Sequence, residues 1–538
     1  MIKQVDLAQM PRKELEEYAM QACVENDILK QQVEQYEAQL RLLSRKKYGR
    51  STEQTNVDEQ QLSIFNEAEE DADLQKPEPK IDQVKKPVKK SKGQKQAKIK
   101  DIPKQVTEYT LQGEQTICPV CGNPMAVMSR KVRKEIEIIP PKVTVHEHIA
   151  YIYVCRTCEK QEVSTPILRA PSPAPLLPGS VLSPSLAAYI LCRKFENRDS
   201  LYKMEADFHA TGLELRRQTL SNWILRTAER YGQMLYGQLT KHLLEETYLH
   251  ADETPLQVLH EPGKSAQSKS YMWLFATNHT AAHPIILYHY ADSRSGEIPK
   301  AFLQSYQGIL QCDGYDGYNK VEHVIRMGCL AHVRRKFMDA EKSLKKVGVN
   351  SRNIPERKGI RWCDLLFRMD ARAKRVCLAN RKAWKETYIR KKMEAFFRWA
   401  EKEAAIAGPA NTALSKALHY LLHERKYLEN YFCDARIEFS NNLAERSIRP
   451  FVMGRKNWLF CNTPRGADSS AVWYSLVVTA KENGLQPYPY LEYVLDQLRG
   501  KTKEAITEEE LDALLPWSEQ IPQSCKMKHN EEEICMQE

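Results

Sequence analysis

The chain has 538 residues, more than a single hydrophobic core accommodates, so several domains are expected. Its net charge of +10 is compatible with a polyanionic partner, although many proteins without such a partner are equally basic. We expect neither a secretory signal nor a membrane partner, because no apolar run approaches the roughly 20 residues that span a bilayer; the expected location is cytoplasmic.

The first predicted element is an amphipathic helix within residues 1–50. From Leu15 onward, apolar residues recur in steps of four and three over four heptads, a 3.5-residue period that favours a coiled coil. Asn26 lies in the apolar seam, where a single polar residue fixes register and strand number. We therefore predict a homo-oligomer, with an amphipathic helix packed on its own domain as the alternative.

A charged segment, residues 51–104, follows the helix. It is acidic around Glu67–Asp73 and then rich in lysine, and prolines interrupt it. Such a composition buries too little apolar surface to order itself, which predicts a flexible linker. Its lysines are also suited to non-specific contacts with phosphates.

Four cysteines within residues 105–170 have the spacing of a metal site. Cys118 and Cys121 form one C-x-x-C pair, and Cys155 and Cys158 form another. Two such pairs supply the four thiolates of a tetrahedral structural zinc site, so we predict a zinc-ribbon-like module that binds Zn²⁺. Alternating runs at 134–139 and 143–153 predict a hairpin between the pairs. A redox dithiol is disfavoured, because no thioredoxin-like pattern surrounds either pair.

Residues 180–240 have the pattern of a helix-turn-helix segment. Gly212 lies between two helical runs, at a position that favours positive φ. The exposed N-terminal end of the second helix is the part that a recognition helix inserts into the major groove. A plain helical hairpin is the alternative. The predicted DNA-contacting residues at that end are Arg216, Arg217, Gln218 and Asn222.

A strand-rich region occupies residues 245–345. Three successive predicted strands (247–259, 269–277 and 283–291) precede an alternation of helix (296–306), strand (308–313), short helix (315–321), strand (322–328) and helix (331–345). This is the order of a ribonuclease H-like core. Residues 346–435 are predicted to form a helical insertion, 436–484 to complete the core, and 485–538 to form a small helical C-terminal domain and tail. The fold class is therefore multidomain α+β.

Three acidic residues have local sequences that direct a carboxylate at a metal ion. Asp252 lies in the first predicted strand, Asp313 ends the fourth, and Glu445 begins a helix after the insertion. Three convergent carboxylates can hold two divalent ions that act on a phosphodiester. The competing acids are Asp316, three residues beyond Asp313, and Glu438, which precedes the helix start that Asn441 and Asn442 favour as caps. Glu253 is expected to point to the opposite strand face.

Long motifs across the chain resemble those of the insertion sequence 66 family of DDE transposases. The predicted coiled coil of residues 1–50 (the zipper), the cysteine module of residues 105–170 and the helix-turn-helix segment resemble that family in the same order. The likeness therefore covers nearly the whole chain. The matching segments are His250–Thr254, Asp313–Tyr318, Cys329–Phe337, Asn441–Pro450, Gly454–Phe460 and Leu514–Trp517.

The resemblance implies that Asp252, Asp313 and Glu445 form a catalytic triad that binds Mg²⁺ or Mn²⁺. It implies hydrolysis at transposon ends, followed by attack of the freed 3′-hydroxyl on target DNA. The implied partners are double-stranded DNA (terminal inverted repeats and target), further copies of the chain, and small accessory proteins of the same element.

Several basic residues near Glu445 have two interpretations. Arg449 lies one helical turn beyond Glu445, as a salt-bridge partner or a phosphate contact, and Pro450 is expected to end or kink the helix. Arg455 and Lys456 are predicted DNA contacts.

Cys329 and His332 have C-x-x-H spacing, but no second pair is evident in the sequence. We therefore expect a packed thiol and a polar or DNA-facing histidine at these two positions.

Two other functions fit the same motifs. One is a non-catalytic, decayed or domesticated protein that binds DNA through its zinc and helix-turn-helix modules; the intact acidic trio argues against it. The other is a ribonuclease H-like nuclease that cuts without strand transfer.

Overall fold

A computed structural model of the chain describes residues 143–154, 167–346, 353–408 and 412–527. From His146 onward, the described residues belong to one compact unit. The predicted zipper, the charged linker and the four clustered cysteines lie outside the described residues. None of the described helices is both long and apolar enough to cross a membrane.

A small two-stranded sheet precedes the main body. Strand β1 (Ile152–Val154) pairs in antiparallel fashion with β2 (Ile167–Arg169). The predicted hairpin differs from this arrangement, because residues 143–151 are not strand and β1 pairs with a later segment. The other half of that predicted hairpin, residues 134–139, lies outside the described residues.

The main body is built on a five-stranded sheet whose spatial order is β5-β4-β3-β6-β7. Within this sheet, β4 is antiparallel to both β3 and β5, whereas β6 runs parallel to β3 and β7 runs parallel to β6. The architecture is therefore mixed α/β. The strands are β3 (Tyr248–Gln257), β4 (Lys269–Thr277), β5 (Ile286–Ala291), β6 (Gly308–Gln311) and β7 (Val324–Met327).

Helices precede the sheet in the region predicted as helix-turn-helix. Helix α1 continues through a π turn, and α3 joins α4 through another. Gly212, between α2 and α3, has φ +80°, as its predicted turn position requires. The helices are α1 (Pro184–Leu191), α2 (Leu201–Ala210), α3 (Arg217–Thr227) and α4 (Gln233–Glu245).

The segment between the two predicted parts of the core is helical, as expected. Aromatic side chains of this segment, among them Phe396 and Phe397, form a core that also includes Tyr248 and Ile309 of the sheet. The insertion is thereby packed on one face of β3 and β6. Short α5 (Glu297–Phe302) precedes β6; after β7 come α6 (Leu330–Lys346), α7 (Pro355–Ala373), α8 (Leu378–Tyr388), α9 (Arg390–Ala407), α10 (Ala413–His423) and α11 (Arg425–Leu428).

The chain then returns to the sheet. Helix α12 (Asn442–Trp458) packs on β3 and β4, and α13 (Pro464–Glu482) packs on β5. Pro450 is expected from the sequence to end or kink the helix; it does not end α12, which continues for two more turns, so termination is the part of that expectation that is wrong. The C-terminal part contains α14 (Pro487–Leu498) and α15 (Glu508–Asp512).

Candidate active site

Asp252 and Asp313 are brought together by the register of two parallel strands. His250 of β3 pairs with Gln311 of β6, and each aspartate lies two residues beyond its member of that pair. Because side chains on a strand alternate between faces, Asp252 shares the face of His250, and Asp313, which follows the end of β6, lies near enough to raise the pKa of Asp252. Asp313 also accepts a hydrogen bond from its own turn, 3.0 Å from the Tyr315 amide to Oδ1.

Asn441 attaches the start of α12 to β3 next to Asp252. Its Nδ2 donates to the carbonyl of Ala251 at 2.8 Å, and its Oδ1 lies 2.8 Å from His250 Nδ1. Asn441 therefore does not cap the helix through its side chain, although α12 begins at the predicted place. The contact positions Glu445, which lies in the first turn of α12, over the sheet.

His250 is held as a neutral imidazole. Its Nε2 lies 2.9 Å from Asn278 Nδ2, a donor, so the proton is on Nδ1, facing Asn441 Oδ1. Burial lowers the pKa of His250 to about 4, and the hydrogen bond to Asn441 opposes this shift. A neutral histidine with a hydrogen bond at each ring nitrogen is held rigidly on β3, close to the acidic residues.

The three predicted acidic residues interact electrostatically. Burial raises the pKa of Asp252 well above the ordinary value of an aspartate. The adjacent Glu253 and, through space, Asp313 and Glu445 raise it further. The carboxylates of Asp252, Asp313 and Glu445 are a donor set of hard oxygens, which fits a divalent cation such as Mg²⁺.

Glu253 has partners of its own. Its carboxylate accepts hydrogen bonds from Arg294 Nε at 2.8 Å and from the Tyr318 hydroxyl at 2.6 Å. Burial, followed by the charge of Asp313, raises the pKa of Glu253, while Tyr318 and Arg294 oppose the shift. Glu253 is thus a paired acid beside the trio rather than a free ligand.

The two competing acids lie in other surroundings. Asp316 is exposed at the start of a short 3₁₀ helix and lies 3.8 Å from His423. Glu438 pairs with Lys374 at 2.7 Å. Asp313 and Glu445, by contrast, are among the charges that raise the pKa of Asp252.

Glu445 has partners that the sequence did not indicate. Its Oε2 lies 3.3 Å from Arg335 Nη2, and its Oε1 lies 3.8 Å from Nε2 of His332. Arg335 is therefore the ion-pair partner, and Arg449, for which a salt bridge or a phosphate contact is expected from the sequence, is exposed. His332 and Arg335 are three residues apart on α6, so they share a helix face, and that spacing within Cys329–Phe337 was the available signal.

The predicted DNA contacts lie in two places. Arg216, Arg217, Gln218 and Asn222 are all exposed at the N-terminal end of α3, while Leu220, Trp223 and Ile224 are buried. Arg455 is half-buried, and its Nη1 lies 3.4 Å from the Thr254 hydroxyl, two residues along β3 from Asp252. Lys456 follows it on the same helix.

Comparison with protein families gives matches along most of the chain. The model described as "Transposase IS66 family" matches residues 179–469, and the "IS66 C-terminal element" matches 475–517. The "zinc-finger binding domain of transposase IS66" matches 115–159, a span that contains Cys118, Cys121, Cys155 and Cys158 and supports structural zinc. "Transposase C of IS166 homeodomain" matches 35–107, across the boundary of the predicted zipper and linker.

Similar proteins occur in Sinorhizobium fredii. Uncharacterized protein y4jD is 29% identical over 439 residues, covering 78% of this chain and 81% of its own length. Uncharacterized protein y4qI is 28% identical over 414 residues, covering 74% of this chain and 73% of its own.

The transposase model alone covers more than half of the chain, including the described sheet, the insertion and the start of α13. The three other matches follow the order of the segments identified from the sequence. The chain belongs to the transposase IS66 family.

Proposed function

We propose that the protein is a DNA transposase that binds transposon ends, hydrolyses phosphodiester bonds there and joins the 3′-hydroxyl ends to target DNA. The observation that carries this proposal is that Asp313 and Glu445 lie near enough to Asp252 to raise its pKa, in a chain of this family. The three residues come from two neighbouring parallel strands and from a helix attached to the first strand.

The sheet order supports a ribonuclease H-like core. Three antiparallel strands followed by two parallel ones, with the first strand in the centre, place the ends of β3 and β6 side by side. We assign Asp252 and Asp313 to those two central strands and Glu445 to the helix that follows the insertion.

Mg²⁺ or Mn²⁺ would be held by the carboxylates of Asp252, Asp313 and Glu445. When bound, the ions supply Lewis acidity and lower the pKa of the attacking water or 3′-hydroxyl. The protein's own contribution is to hold the carboxylates in place. His250 and Asn441 fix the spacing between β3 and α12, and Arg335 orients Glu445.

Two basic residues, Arg455 and Lys194, are suited to contact a DNA strand. Neither Arg455 nor Lys194 forms an ion pair with a carboxylate within the described ranges. The Lys194 ammonium lies 5.9 Å from the centre of the Trp458 ring, one turn along α12 from Arg455. Burial lowers the pKa of both side chains. Cations without carboxylate partners would be satisfied by backbone phosphates.

DNA ends would be recognised by the N-terminal end of α3, where exposed Arg216, Arg217, Gln218 and Asn222 are available to base edges and phosphates. The predicted zipper would join copies of the chain so that two ends are held together. Small accessory proteins of the same element would be further partners, as the family resemblance implies.

The proposal is tested with purified full-length protein, labelled DNA carrying the terminal repeats that flank its gene, and Mg²⁺ or Mn²⁺. We expect 3′-end cleavage and joined products from the wild type, and neither from Asp252→Ala. DNA binding by that variant should persist, because the recognition helix is separate from the acid.

Two pairs of variants identify the ligands. Asp313→Asn and Glu445→Gln should abolish both steps, whereas the matched Asp316→Asn and Glu438→Gln should retain them. The opposite result within either pair would reassign that ligand. Cleavage without joining would favour a nuclease, and binding with no chemistry in the wild type would favour a non-catalytic DNA-binding protein.

A further inference from the structure

Three potential metal ligands of different chemistry meet between α6 and α12. Cys329 precedes α6, His332 lies in its first turn, and Glu445 lies in the first turn of α12. One sulfur, one imidazole nitrogen and one carboxylate oxygen from these residues lie within 4.8 Å of one another. The sequence shows only Cys329 and His332, in C-x-x-H spacing. The fold brings a third ligand, Glu445, from the part of the chain that follows the helical insertion.

Two of these side chains have buried atoms without partners. His332 Nδ1 and Glu445 Oε1 are both buried and lack a hydrogen bond. The other oxygen of Glu445, Oε2, is oriented by Arg335 at 3.3 Å, which leaves Oε1 facing His332 at 3.8 Å. An unsatisfied buried polar atom destabilises the folded protein, so both atoms would gain from a cation.

The Cys329 sulfur accepts hydrogen bonds from backbone amides. The backbone amide of Asn441 donates to Cys329 Sγ at 3.2 Å. Burial raises the pKa of Cys329 to about 11, while hydrogen bonds from the backbone of Asn441, His332 and Ala331 favour the thiolate. Amide donors of this kind stabilise a metal-bound thiolate, and binding of an ion displaces the thiol proton.

We propose that Cys329, His332 and Glu445 bind one borderline divalent ion of the Zn²⁺ class. Thiolate and imidazole ligands select such an ion over Mg²⁺, which prefers oxygen. Three protein ligands leave a fourth position open to water. The site is distinct from the four-cysteine module and shares Glu445 with the acidic trio. It does not depend on DNA chemistry, since its ligands are defined by their own geometry.

Arg335 is the competing cation. Its Nη1 lies 3.3 Å from His332 Nε2, and its side chain is half exposed, so it can move into solvent when an ion binds. The rival account is that Arg335 alone neutralises Glu445 and no metal binds. The two accounts make opposite predictions for Arg335→Gln, which should tighten metal binding severalfold under the proposal.

The test counts bound metal in full-length protein without DNA. Protein is saturated with Co²⁺ as a probe and desalted, and metal content and thiolate-to-cobalt absorption are measured. The cysteine module contributes the same amount to every variant, so the comparison is by difference. We expect Cys329→Ser and His332→Ala each to lose about one equivalent relative to the wild type. Cys363→Ser, at another buried free cysteine, should lose none.

Equal cobalt content in the wild type, Cys329→Ser and His332→Ala would overturn the proposal. Circular dichroism establishes that each variant is folded; if Cys329→Ser is not, His332→Ala decides the result together with Arg335→Gln. Saturating Mg²⁺ should not displace the bound cobalt. Because the readout is metal content, its failure would leave the transposase proposal intact, and inactive protein would leave this proposal intact.

Discussion

At the scale of single residues, the site depends on buried polar side chains that bind other parts of the chain. Asn441 joins three segments: its side chain binds Ala251 and His250 of β3, and its amide binds Cys329. Both Asn441 and His250 are almost fully buried. Positioning of this kind places Glu445 without adding charge to an already acidic site.

Replacing Asn441 with Ala should remove the hydrogen bond to the Ala251 carbonyl and leave His250 Nδ1 without its acceptor. We expect a loss of roughly 1–3 kcal/mol in unfolding free energy and a marked loss of strand transfer. Chemical denaturation and the joining assay measure the two effects. The neighbouring Asn442 is exposed, so Asn442→Ala is the matched control and should change neither. Equal effects of both variants would contradict the positioning role.

Glu356, in the first turn of α7, predicts a pH dependence of stability. It is 4% exposed, its Oε2 has no hydrogen-bond partner, and burial raises its pKa to about 7. A carboxyl whose pKa is raised on folding binds its proton more tightly in the folded state. Its favourable contribution is therefore present at low pH and is lost as pH rises from about 4.5 through 7.

Glu356→Gln should consequently be more stable than the wild type at pH 8, by roughly 1–3 kcal/mol, with the difference vanishing near pH 4. Urea unfolding across this pH range measures it. Glu394→Gln, at an exposed site on α9, should show no such pH-dependent difference. A constant difference across the range for Glu356→Gln would refute the assignment.

At the scale of elements, α13 protects the edge of the sheet. The amides of Ile286 and Tyr288 on edge strand β5 donate to the hydroxyls of Thr479 (3.0 Å) and Ser475 (2.8 Å). Thr479 in turn donates to the Ile286 carbonyl at 3.0 Å. An exposed edge strand invites pairing with other chains, and here helix hydroxyls replace the missing neighbour.

Thr479→Val keeps the side-chain shape but removes these bonds. It should destabilise the protein by roughly 1–3 kcal/mol and increase aggregation on heating, because buried backbone groups of Ile286 lose their partner. Thermal unfolding with light scattering measures both effects. Thr387→Val is the control, since the Thr387 hydroxyl is exposed and binds only its own helix.

Helix α3 makes a prediction for DNA binding. Arg217→Ala, at its N-terminal end, should weaken binding to terminal-repeat DNA and reduce the slope of log affinity against log salt by about 1. Titration at several salt concentrations measures the slope. Arg226, at the other end of the same helix, is the matched control. A larger effect of Arg226→Ala would reverse the proposed orientation of the helix.

At the scale of the whole molecule, a buried ion pair connects the sheet to the insertion. Arg326 of β7 lies 3.4 Å from Glu424, and the two side chains are 5% and 1% exposed. Arg326 also donates to the Asp313 carbonyl at 2.7 Å. The insertion thereby supports the strand end that carries Asp313, although it contributes none of the three acids.

Arg326→Met should destabilise the protein by roughly 3–5 kcal/mol, because Glu424 would remain buried without its cation. The double variant Arg326→Met with Glu424→Met should recover part of the loss. Equilibrium unfolding of the four proteins in this cycle measures the coupling. A double variant as unstable as the sum of the single changes would contradict a direct ion pair.

Local patterns in the sequence predicted the order and type of the elements. Strands β3 to β7 and helix α6 lie within a few residues of their predicted places, because alternation and helical periodicity report local structure. The family was evident from the long motifs, and family comparison confirmed it. Local propensity does not predict that α12 continues through Pro450, because propensity does not describe packing.

The contacts between distant side chains are evident from the tertiary structure and not from local sequence patterns. His250 and Asn441 lie 191 residues apart in the sequence, and Arg335 and Glu445 lie 110 apart, yet both pairs are in contact. Strand register placed Asp252 beside Asp313, and the return of the chain after the insertion placed Glu445 near Cys329 and His332. Periodicity shows which face of an element is buried, but not which distant element covers that face, because long-range pairing depends on the packing of the whole core.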